Sequence, residues 1–340
     1  MTLKTIISNR FDPFLNLAVE DWLFQHCEKS SVVCYLWRNE RTVVIGQNQN
    51  PYAECNVDLL EGEGGHLMRR TTGGGAVYHD VENLNFTFVA PAVMADTNRN
   101  FKVIADALAA YGIKAEVSGR NDMMVDCVNA SLRDCVSVGT TQALKHSSTQ
   151  ALKKFSGSAF HKNATAALHH GTIMIKTDIE ALRRYLTPNV SKLLKHGVKS
   201  VESRVVNLSE LADITVENIM PRIVEAFEKE YGQKSERVDF GSLSLVEEVN
   251  QRRAFYASDD WRFGRWRDFK ATCKGAFDWG MVEVSLLMDG STVLDCQIAS
   301  DALDTDAVEK AKQLILGGER SATDGQPIIN DILNLVNERL

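Results

Sequence analysis

The chain has 340 residues, of which 44% are hydrophobic and 24% charged, and its formal net charge is -7. This composition is that of a globular protein long enough for two domains, and its acidity argues against a protein coated in nucleic acid. The seven cysteines are odd in number and never stand in C-x-x-C spacing, which argues against a disulfide framework or a zinc ribbon and favours a reducing compartment.

The N-terminal stretch MTLKTIISNRFDPF lacks the apolar core of a signal peptide and the Arg/Ser bias of a transit peptide. No apolar run approaches the roughly 18 residues that a membrane span needs. We therefore expect a cytoplasmic protein that does not bind membranes, with an organelle as the second possible location.

The first part of the chain is predicted to mix strands and helices. A strand at LKTIIS precedes a helix for which Asp12 suits the N-cap and Pro13 the first helical position. A second helix is predicted over FKVIADALAAYG, ending at Gly112. Further strands are predicted at SVVCYLW, TVVIG, GHLMRR, NLNFTFVA, KKFSGSAF and HGTIMIKT. Because no regular βαβ repeat is visible, this order favours an α+β fold over a doubly wound sheet.

The C-terminal part is predicted to form a smaller second domain. A helix over ENIMPRIVEAFEKEYG is interrupted early by Pro221, and the polar segment 233–244 is the predicted linker. A hairpin turning at Asp289-Gly290 follows, and then the helices DTDAVEKAKQLILGG and IINDILNLVNERL. The predicted domains are residues 1–240 and 245–340.

The stretch RRTTGGGAVYHD contains three consecutive glycines, which order at an entropic cost and pack no side chain. One interpretation is a tight hairpin between two strands. The second interpretation is a loop whose bare backbone approaches an anion, and the adjacent Arg69 and Arg70 favour it slightly. The run is neither a Walker loop nor a G-x-G-x-x-G dinucleotide fingerprint.

Two further stretches place polar side chains beside predicted strands. SGRNDMMV puts Asn121 and Asp122 at a turn into a strand, where ordinary turn chemistry is the simpler explanation. In KKFSGSAF, strict strand alternation predicts that Lys154, Ser156 and Ser158 share one face. That face is either solvated or lines a polar cleft.

Seven stretches occur in a characteristic order: NLAVEDWLF, TVVIGQNQNPYAECN, RRTTGGGAVYHD, SGRND, KFSGSAF, HHGT and SRVVNL. This combination resembles the lipoate–protein ligases over nearly the whole chain, and RR-x-x-GGGAV with K-x-SGSA is its most specific part. The stretch WRFG and the hairpin-plus-helix end resemble the small C-terminal domain of that family. The resemblance implies a catalytic domain folded like biotin ligases and class II aminoacyl-tRNA synthetases, followed by a small α/β domain.

The resemblance also implies an ATP-dependent, AMP-forming ligase that modifies other proteins. Lipoate and ATP form lipoyl-AMP and pyrophosphate, with Mg²⁺ expected from ATP chemistry. A lysine of an acceptor then takes the lipoyl group as an amide. The implied acceptors are the lipoyl domains of 2-oxoacid dehydrogenase E2 subunits and the glycine-cleavage H protein. We expect a monomer with no nucleic-acid or membrane partner.

The resemblance further assigns roles to residues. Lys154 is the implied catalytic residue, which bridges the lipoate carboxylate and the α-phosphate, and Arg70 steadies the polyphosphate. The residues implied to bind ATP or lipoyl-AMP are Arg70, Gly75, Ala76, Val77, Tyr78, Asn83, Asn121, Asp122 and Lys154. Those implied to bind lipoate are Leu17, Val19, Arg70, Thr72, Gly73, Gly74, Gly75, His79 and His170. Asp122 is also the candidate Mg²⁺ ligand.

The stretch ATAALHHG bears on a metal site and on the class of transferase. His169 and His170 are adjacent, so on a strand they point apart, which predicts one structural and one cleft-facing histidine rather than a metal site. Related transferases of the acyl-carrier-dependent branch use a cysteine shortly before this His-Gly. Here Ala167 stands near that place and the stretch has no cysteine, which argues against an acyl-thioester mechanism.

Two further functions are compatible with the same motifs, and a third is disfavoured. A transferase that accepts preformed lipoyl-AMP or another activated donor carries the same residues. A non-catalytic module that binds lipoate or lipoyl domains ranks last, because Lys154, Arg70 and the glycines are all present. A biotin ligase is disfavoured by the lack of a Gly-Arg-Gly-Arg-type loop.

One departure from the family pattern is an insertion within the 31 residues between Asp122 and Lys154. It is polar and contains two TQALK copies, so a tolerated surface loop is the simpler interpretation and a lid over the adenylate the second. Lys145 and Lys153 are further candidates for the catalytic lysine, but only Lys154 directly precedes FSGSA.

Overall fold

The computed structural model describes residues 1–119, 121–127, 152–186, 205–264, 271–289, 292–319 and 325–338. Most of the insertion, Lys145 and the Gly290 turn lie outside these residues. The chain divides into two compact units. The first comprises the described parts of Met1–Arg41, His79–Arg183 and Pro188–Arg252, and the second those of Thr42–Tyr78, Arg184–Thr187 and Arg253–Leu340. The domain boundaries at 240 and 245 stay a prediction.

Strands and helices alternate irregularly along the described residues. The strands are β1 (Thr2–Ile7), β2 (Ser31–Trp37), β3 (Thr42–Ile45), β4 (His66–Arg69), β5 (Val77–His79), β6 (Asn83–Pro91), β7 (Ala115–Ser118), β8 (Asp122–Asp126), β9 (Leu152–Lys162), β10 (Ala166–Met174), β11 (Glu236–Val238), β12 (Ala271–Phe277), β13 (Gly280–Asp289) and β14 (Thr292–Ser300). The α-helices are α1 (Pro13–Gln25), α2 (Pro51–Glu54), α3 (Val57–Gly62), α4 (Thr97–Ala109), α5 (Ile179–Tyr185), α6 (Val216–Tyr231), α7 (Phe240–Ser244), α8 (Glu247–Ala257), α9 (Asp259–Phe263), α10 (Thr305–Leu316) and α11 (Pro327–Asn337).

The first unit is built on an eight-stranded mixed sheet in the order β11-β1-β2-β6-β10-β9-β8-β7. β1 runs parallel to both β2 and β11, and the other pairs are antiparallel. Because β11 is an edge strand of this sheet, the polar segment predicted as a linker belongs to the first unit instead. An α+β fold is therefore confirmed for this part of the chain.

The two faces of the sheet are covered differently. On one face Phe86 and Phe88 of β6 pack in the main core, which is closed by α4 and α6. The helix residues in this core are Phe101, Val103, Ile104, Ala107, Leu108, Val216, Ile219, Ile223, Ala226 and Phe227. Helix α1 packs on β6 and β10 and supplies a glutamate to the opposite face. That opposite face carries the polar residues described below.

Local sequence signals explain where the helices of this unit begin and end. The Asp12 carboxylate accepts the Phe14 and Leu15 amides, so Asp12 caps α1 as predicted, with Pro13 in the first turn. Helix α6 is capped by Thr215 and ends at Gly232, whose φ of 68° suits glycine. Pro221 lies inside α6 without ending it, so the predicted interruption is wrong; the helix continues because its buried face packs in the core.

The second unit contains two three-stranded sheets. One has the order β4-β3-β5, and the other is the antiparallel sheet β12-β13-β14. The predicted hairpin is confirmed by the β13–β14 pairing, which has one irregularity between Leu287 and Met288. Apolar residues of α10 and α11 close a core on this sheet: Val308, Ala311, Ile315, Ile329, Ile332, Leu333 and Val336.

Candidate active site

A β-bulge decides where the Lys154 side chain points. In the antiparallel pair of β8 and β9, Met123 pairs with Ser156 and Met124 with Lys154, so Phe155 is the extra residue. A bulge shifts strand alternation by one position. Lys154 therefore lies on the face opposite to Ser156, which pairs with the fully buried Met123.

This geometry corrects the expectation that Lys154 shares a face with the two serines. Ser156 and Ser158 are buried on the core side of the sheet, and their hydroxyl groups have no hydrogen-bond partner among the described residues. Lys154 instead lies beside Asp122, with its Nζ 2.7 Å from the Asp122 Oδ1. Both side chains are 31% exposed, so the pair is accessible to a ligand from the solvent side.

The Lys154 side of the sheet carries a transverse row of residues, one from each of five adjacent strands. Trp37 of β2 pairs with Asn85 of β6, and Asn85 pairs with Thr172 of β10. The Thr172 hydroxyl accepts the amide N–H of Gly157 in β9 at 3.3 Å, and Gly157 pairs with Asp122 in β8. Directly paired residues of neighbouring antiparallel strands point to the same face. An aromatic side chain thus stands at one end of the row and a carboxylate at the other.

Two asparagines of β6 lie buried on this face. The Asn83 Nδ2 donates to the Asn85 Oδ1 at 3.1 Å. The Asn83 Oδ1 and the Asn85 Nδ2 have no hydrogen-bond partner within the part of the chain that the structure describes, although both residues are 1% exposed. An unpaired buried amide group costs about 1–3 kcal/mol. Whichever way the two amides are oriented, the pair offers one free donor and one free acceptor to a ligand.

A buried polar cluster lies further along the same face. The Glu20 carboxylate of α1 accepts the His170 Nδ1–H at 2.9 Å and the Thr87 hydroxyl at 2.5 Å. The Trp37 indole N–H donates to the Thr87 hydroxyl oxygen at 3.0 Å. Glu20 is 1% exposed, so its charge is compensated by these donors rather than by water. Leu17 and Val19, both predicted to bind lipoate, are buried in the same helix.

His169 lies on the other face, as its adjacency to His170 predicted. Its ring contacts Phe86, Phe88, Phe101 and Phe160, and neither ring nitrogen has a hydrogen-bond partner among the described residues. Burial, and to a lesser extent the nearby His170, lowers the pKa of His169 to about 3. His169 is therefore a neutral core residue.

The glycine run belongs to the second unit and is not a tight hairpin, since β4 and β5 both pair with β3 and not with each other. The buried Arg70 guanidinium holds the loop from inside. Its Nη2 donates to the carbonyl oxygens of Gly73 (2.7 Å) and Gly75 (2.8 Å). Its Nε donates to the Thr72 hydroxyl at 3.0 Å, and its Nη1 to the Val44 carbonyl at 3.3 Å. The loop carbonyls are thus directed at an arginine.

Three glycines of this region lack a side chain for two reasons, which are the close approach of a carbonyl oxygen at two of them and a positive φ at the third. A Cβ at Gly73 would lie 2.0 Å from the Ala302 carbonyl oxygen, and one at Gly46 would lie 2.3 Å from the Gly74 carbonyl oxygen. Gly74 has a φ of 94°, which disfavours other residues. Its N–H donates to the Ala302 carbonyl at 3.2 Å. At least one backbone amide of the loop is therefore held by a carbonyl oxygen of the same unit.

Arg69 differs from Arg70 in its partners. It donates to the carbonyl oxygens of Gly46, Gln47, Gln49, Trp261 and Arg262. Burial lowers the pKa of Arg69 to about 10. With its donors on backbone carbonyls of the second unit, Arg69 is a structural residue.

The remaining predicted residues occupy varied positions. The Asn121 Nδ2 donates to the Ser158 carbonyl at 3.1 Å. The His79 Nδ1 lies 3.2 Å from the Asn39 Nδ2. In the second unit, the Tyr78 ring packs against Tyr185 with 5.8 Å between the ring centroids.

The predicted residues are divided between the two units. Those of the first unit are Leu17, Val19, His79, Asn83, Asn121, Asp122, Lys154 and His170. Those of the second are Arg70, Thr72, Gly73, Gly74, Gly75, Ala76, Val77 and Tyr78. Sequence reasoning missed Glu20, Trp37, Asn85 and Thr87. The NLNFT alternation, which puts Asn83, Asn85 and Thr87 on one face, is a signal that could have found three polar residues together.

Comparisons with known proteins show the family of the chain. The family model of the lipoyl protein ligase A/B catalytic domain matches residues 12–228. The chain belongs to this family. A relative from Bdellovibrio bacteriovorus named lipoate-protein ligase A is 36% identical and aligns over 93% of this chain and 88% of its own length. A relative from Psychrobacter cryohalolentis with the same name is 37% identical and aligns over 92% of this chain and 87% of its own length.

Solved structures confirm the expected biotin ligase-like fold. Plasmodium falciparum LipL1 in complex with lipoate superposes with a TM-score of 0.78 at 26% identity and covers 99% of each chain. A lipoate-protein ligase A bound with ATP gives a TM-score of 0.59 at 21% identity, covering 78% of this chain and 99% of that one.

Within the described residues, no helix is long and apolar enough to cross a membrane.

Proposed function

We propose that this family member is an ATP-dependent, AMP-forming lipoate–protein ligase. The observation that carries the proposal is the accessible Lys154–Asp122 pair on the polar side of the large sheet, the same side that carries two unpaired buried amide groups. The names of the two ligase relatives, each matching more than nine-tenths of this chain, support it.

Lys154 is the residue proposed to make the first half-reaction possible. A carboxylate oxygen of lipoate attacks the α-phosphorus of ATP, the bond to the bridging oxygen breaks, and pyrophosphate leaves with lipoyl-AMP formed. The two reacting groups are anions and repel each other. An ammonium group placed between them offsets that repulsion and the charge that grows on the pentacoordinate phosphorus. Asp122, 2.7 Å from the Lys154 Nζ, fixes where the charge stands before the substrates arrive.

The second half-reaction transfers the lipoyl group. The neutral ε-amine of an acceptor lysine attacks the carbonyl carbon of the mixed anhydride, the carbon–oxygen bond to AMP breaks, and the amine loses a proton. Lys154 stabilises the leaving phosphate with the same charge. The proposed acceptors are the lipoyl domains of 2-oxoacid dehydrogenase E2 subunits and the glycine-cleavage H protein.

Lipoate is proposed to lie against α1. Leu17 and Val19 supply apolar groups for its aliphatic chain. The hydrogen-bonded His170–Glu20 pair supplies the polar groups at one end of the proposed lipoate site. The Asn83–Asn85 amide pair offers its free donor and acceptor to the nucleotide or the acyl phosphate.

The glycine loop is proposed to bind the nucleotide through its backbone. Gly75, Ala76, Val77 and Tyr78 are the predicted contacts of the adenine edge. Direct contact of Arg70 with the polyphosphate stays a prediction. Its hydrogen bonds to the loop carbonyls favour a second role, in which Arg70 turns carbonyls inward and leaves amide N–H groups for ligand oxygens.

Magnesium is proposed to enter with the phosphates of ATP. Among the described residues there is no group of three or more His, Cys, Asp or Glu that could hold a metal ion. The Asp122 carboxylate already pairs with Lys154. The described part of the chain therefore suits a Mg²⁺ ion that is bound mainly by ATP oxygens and water, rather than a metal ion held permanently by protein ligands. When bound, the ion neutralises phosphate charge.

Mass spectrometry of an apo lipoyl domain tests the function. The domain is incubated with the protein, lipoate, Mg²⁺ and ATP, and then with each component omitted. We expect a gain of one lipoyl group only in the complete mixture, with pyrophosphate released. Transfer from synthetic lipoyl-AMP without any transfer from lipoate and ATP would instead establish a transferase. Failure of both reactions would contradict the proposal.

A further inference from the structure

Gly157 lacks a side chain at a position where its backbone does not require glycine. It lies inside β9, and it is not among the glycines with a positive φ. A Cβ built there would lie 2.9 Å from the Lys154 Nζ and 3.1 Å from its Cε. A contact of 2.9 Å is shorter than real Cβ atoms show and one of 3.1 Å is tighter than most, so the end of the Lys154 side chain would have to shift to make room for a Cβ.

The bulge at Phe155 brings Lys154 over Gly157. In a regular strand, residues three positions apart point to opposite faces. Because Phe155 is the extra residue, Lys154 and Gly157 share a face, and the lysine side chain folds back across the glycine. The Asp122 Oδ1 lies 3.9 Å from the same Cβ position and 2.7 Å from the Lys154 Nζ. Bulge, glycine and carboxylate together define one position for the ammonium group.

We propose that Gly157 is a positioning residue, whose missing side chain seats the Lys154 ammonium group on Asp122. This inference rests on the proposed catalytic role of Lys154. Any side chain at 157 displaces the Nζ from the position that the carboxylate and the bulge fix. The displaced ammonium keeps its charge but meets the lipoate carboxylate and the α-phosphate in the wrong geometry. A displacement of about 1 Å is enough to cost on the order of a hundredfold in rate.

The first test is Gly157→Ala, assayed by pyrophosphate release at varied lipoate and ATP. We expect kcat to fall by roughly tenfold to a hundredfold with a smaller change in KM, because the lysine is misplaced rather than removed. The melting temperature stays close to that of the parent, since the atoms that must yield are the end of a flexible side chain. Gly62→Ala is the matched control, because a Cβ there meets nothing within 4 Å.

A double-mutant cycle separates positioning from a general structural role. In the Lys154→Met background the ammonium group is gone, so Gly157→Ala should cause no further loss of adenylation. A further loss of the same size in that background would overturn the proposal. So would unchanged kcat for Gly157→Ala alone when Lys154→Met is strongly impaired.

The outcomes also distinguish this inference from the proposed function. If Lys154→Met leaves adenylation intact, the catalytic assignment fails and the positioning role fails with it. If Gly157→Ala does not fold, the Lys154→Ala/Gly157→Ala double variant decides, because alanine at 154 removes the Cε and Nζ atoms that the new Cβ would meet. Recovery of folding in the double variant places the clash at the lysine and supports the proposal, and a double variant that also fails to fold contradicts it.

Discussion

Lys154 in the first unit and Arg70 in the second are both cations in glycine-containing motifs, yet their surroundings differ in kind. The Lys154 side chain is 31% exposed and faces one carboxylate, with unpaired amides on the same side of the sheet. Arg70 is 6% exposed, and all three of its guanidinium nitrogens donate to oxygens of its own unit. The partners of the two cations therefore distinguish them. Lys154 forms an ion pair with one carboxylate and stays accessible, whereas the Arg70 guanidinium is held by oxygens of the glycine loop.

Lys154→Met gives the largest expected effect. It keeps the length of the stem and removes the charge, so adenylation should fall by roughly a hundredfold or more, the usual scale for one preorganised charge donor. Transfer from supplied lipoyl-AMP should fall as well. Pyrophosphate release and lipoyl transfer are the measurements, and the melting temperature should hold because the stem still packs.

Lys153→Met is the matched control for this substitution. Lys153 pairs with Val125, a buried core residue, so its side chain leaves the sheet on the face opposite to Asp122. We expect a far smaller loss of adenylation. A larger loss for Lys153→Met than for Lys154→Met would move the catalytic assignment to the neighbouring residue.

Arg70→Lys tests the other side of the comparison. A lysine ammonium cannot span the Gly73 and Gly75 carbonyls in the planar geometry of a guanidinium. Hydrogen bonds to charged groups contribute about 1.5–3 kcal/mol each, so we expect both lower activity and an unfolding free energy lower by about 2–4 kcal/mol. Urea unfolding and pyrophosphate release are measured on the same preparation. Lost activity with unchanged stability would show that Arg70 acts on the ligand alone.

The sequence predicted most of the fold because its signals are local. Asp12 and Pro13 start a helix, Gly232 ends one, and NLNFTFVA alternates as a strand, each for reasons that neighbours in sequence supply. The resemblance located Lys154 and the glycine loop. The face of Lys154 was predicted wrongly, because the bulge at Phe155 depends on how β9 pairs with β8. The partners of Arg70 depend in the same way on contacts that no local pattern encodes.

Asn85→Ala probes the unpaired amides on the same side of the sheet as Lys154. The substitution removes a buried donor that has no described partner, but it also removes the acceptor of the Asn83 Nδ2, so the free protein should lose about 1–3 kcal/mol of stability. Ligand binding should weaken, with KM for ATP or lipoate rising about tenfold, the scale of one hydrogen bond. Ser158→Ala, on the opposite face of the sheet and also without a described partner, is the control and should leave KM unchanged. An Asn85→Ala protein that is less stable but binds normally would reassign the pair to the core.

His169→Leu has the smallest expected effect on activity. The pH dependence of its stability tests whether His169 is a neutral residue of the core face rather than a residue of the ligand face. The pKa of His169 is lowered to about 3 when folded, against about 6.5 when unfolded, so the unfolded state binds the extra proton between these values. Stability that is present above pH 6.5 is therefore lost as the pH falls, by about 2 kcal/mol at pH 5. Leucine removes this titration, so the slope of unfolding free energy against pH should flatten while activity near pH 7.5 persists. Ser156→Ala, at a buried residue on the core face that does not titrate in this range, should keep the parental slope. Equal acid sensitivity in all three proteins would show that other groups, and not the buried imidazole, drive the loss of stability.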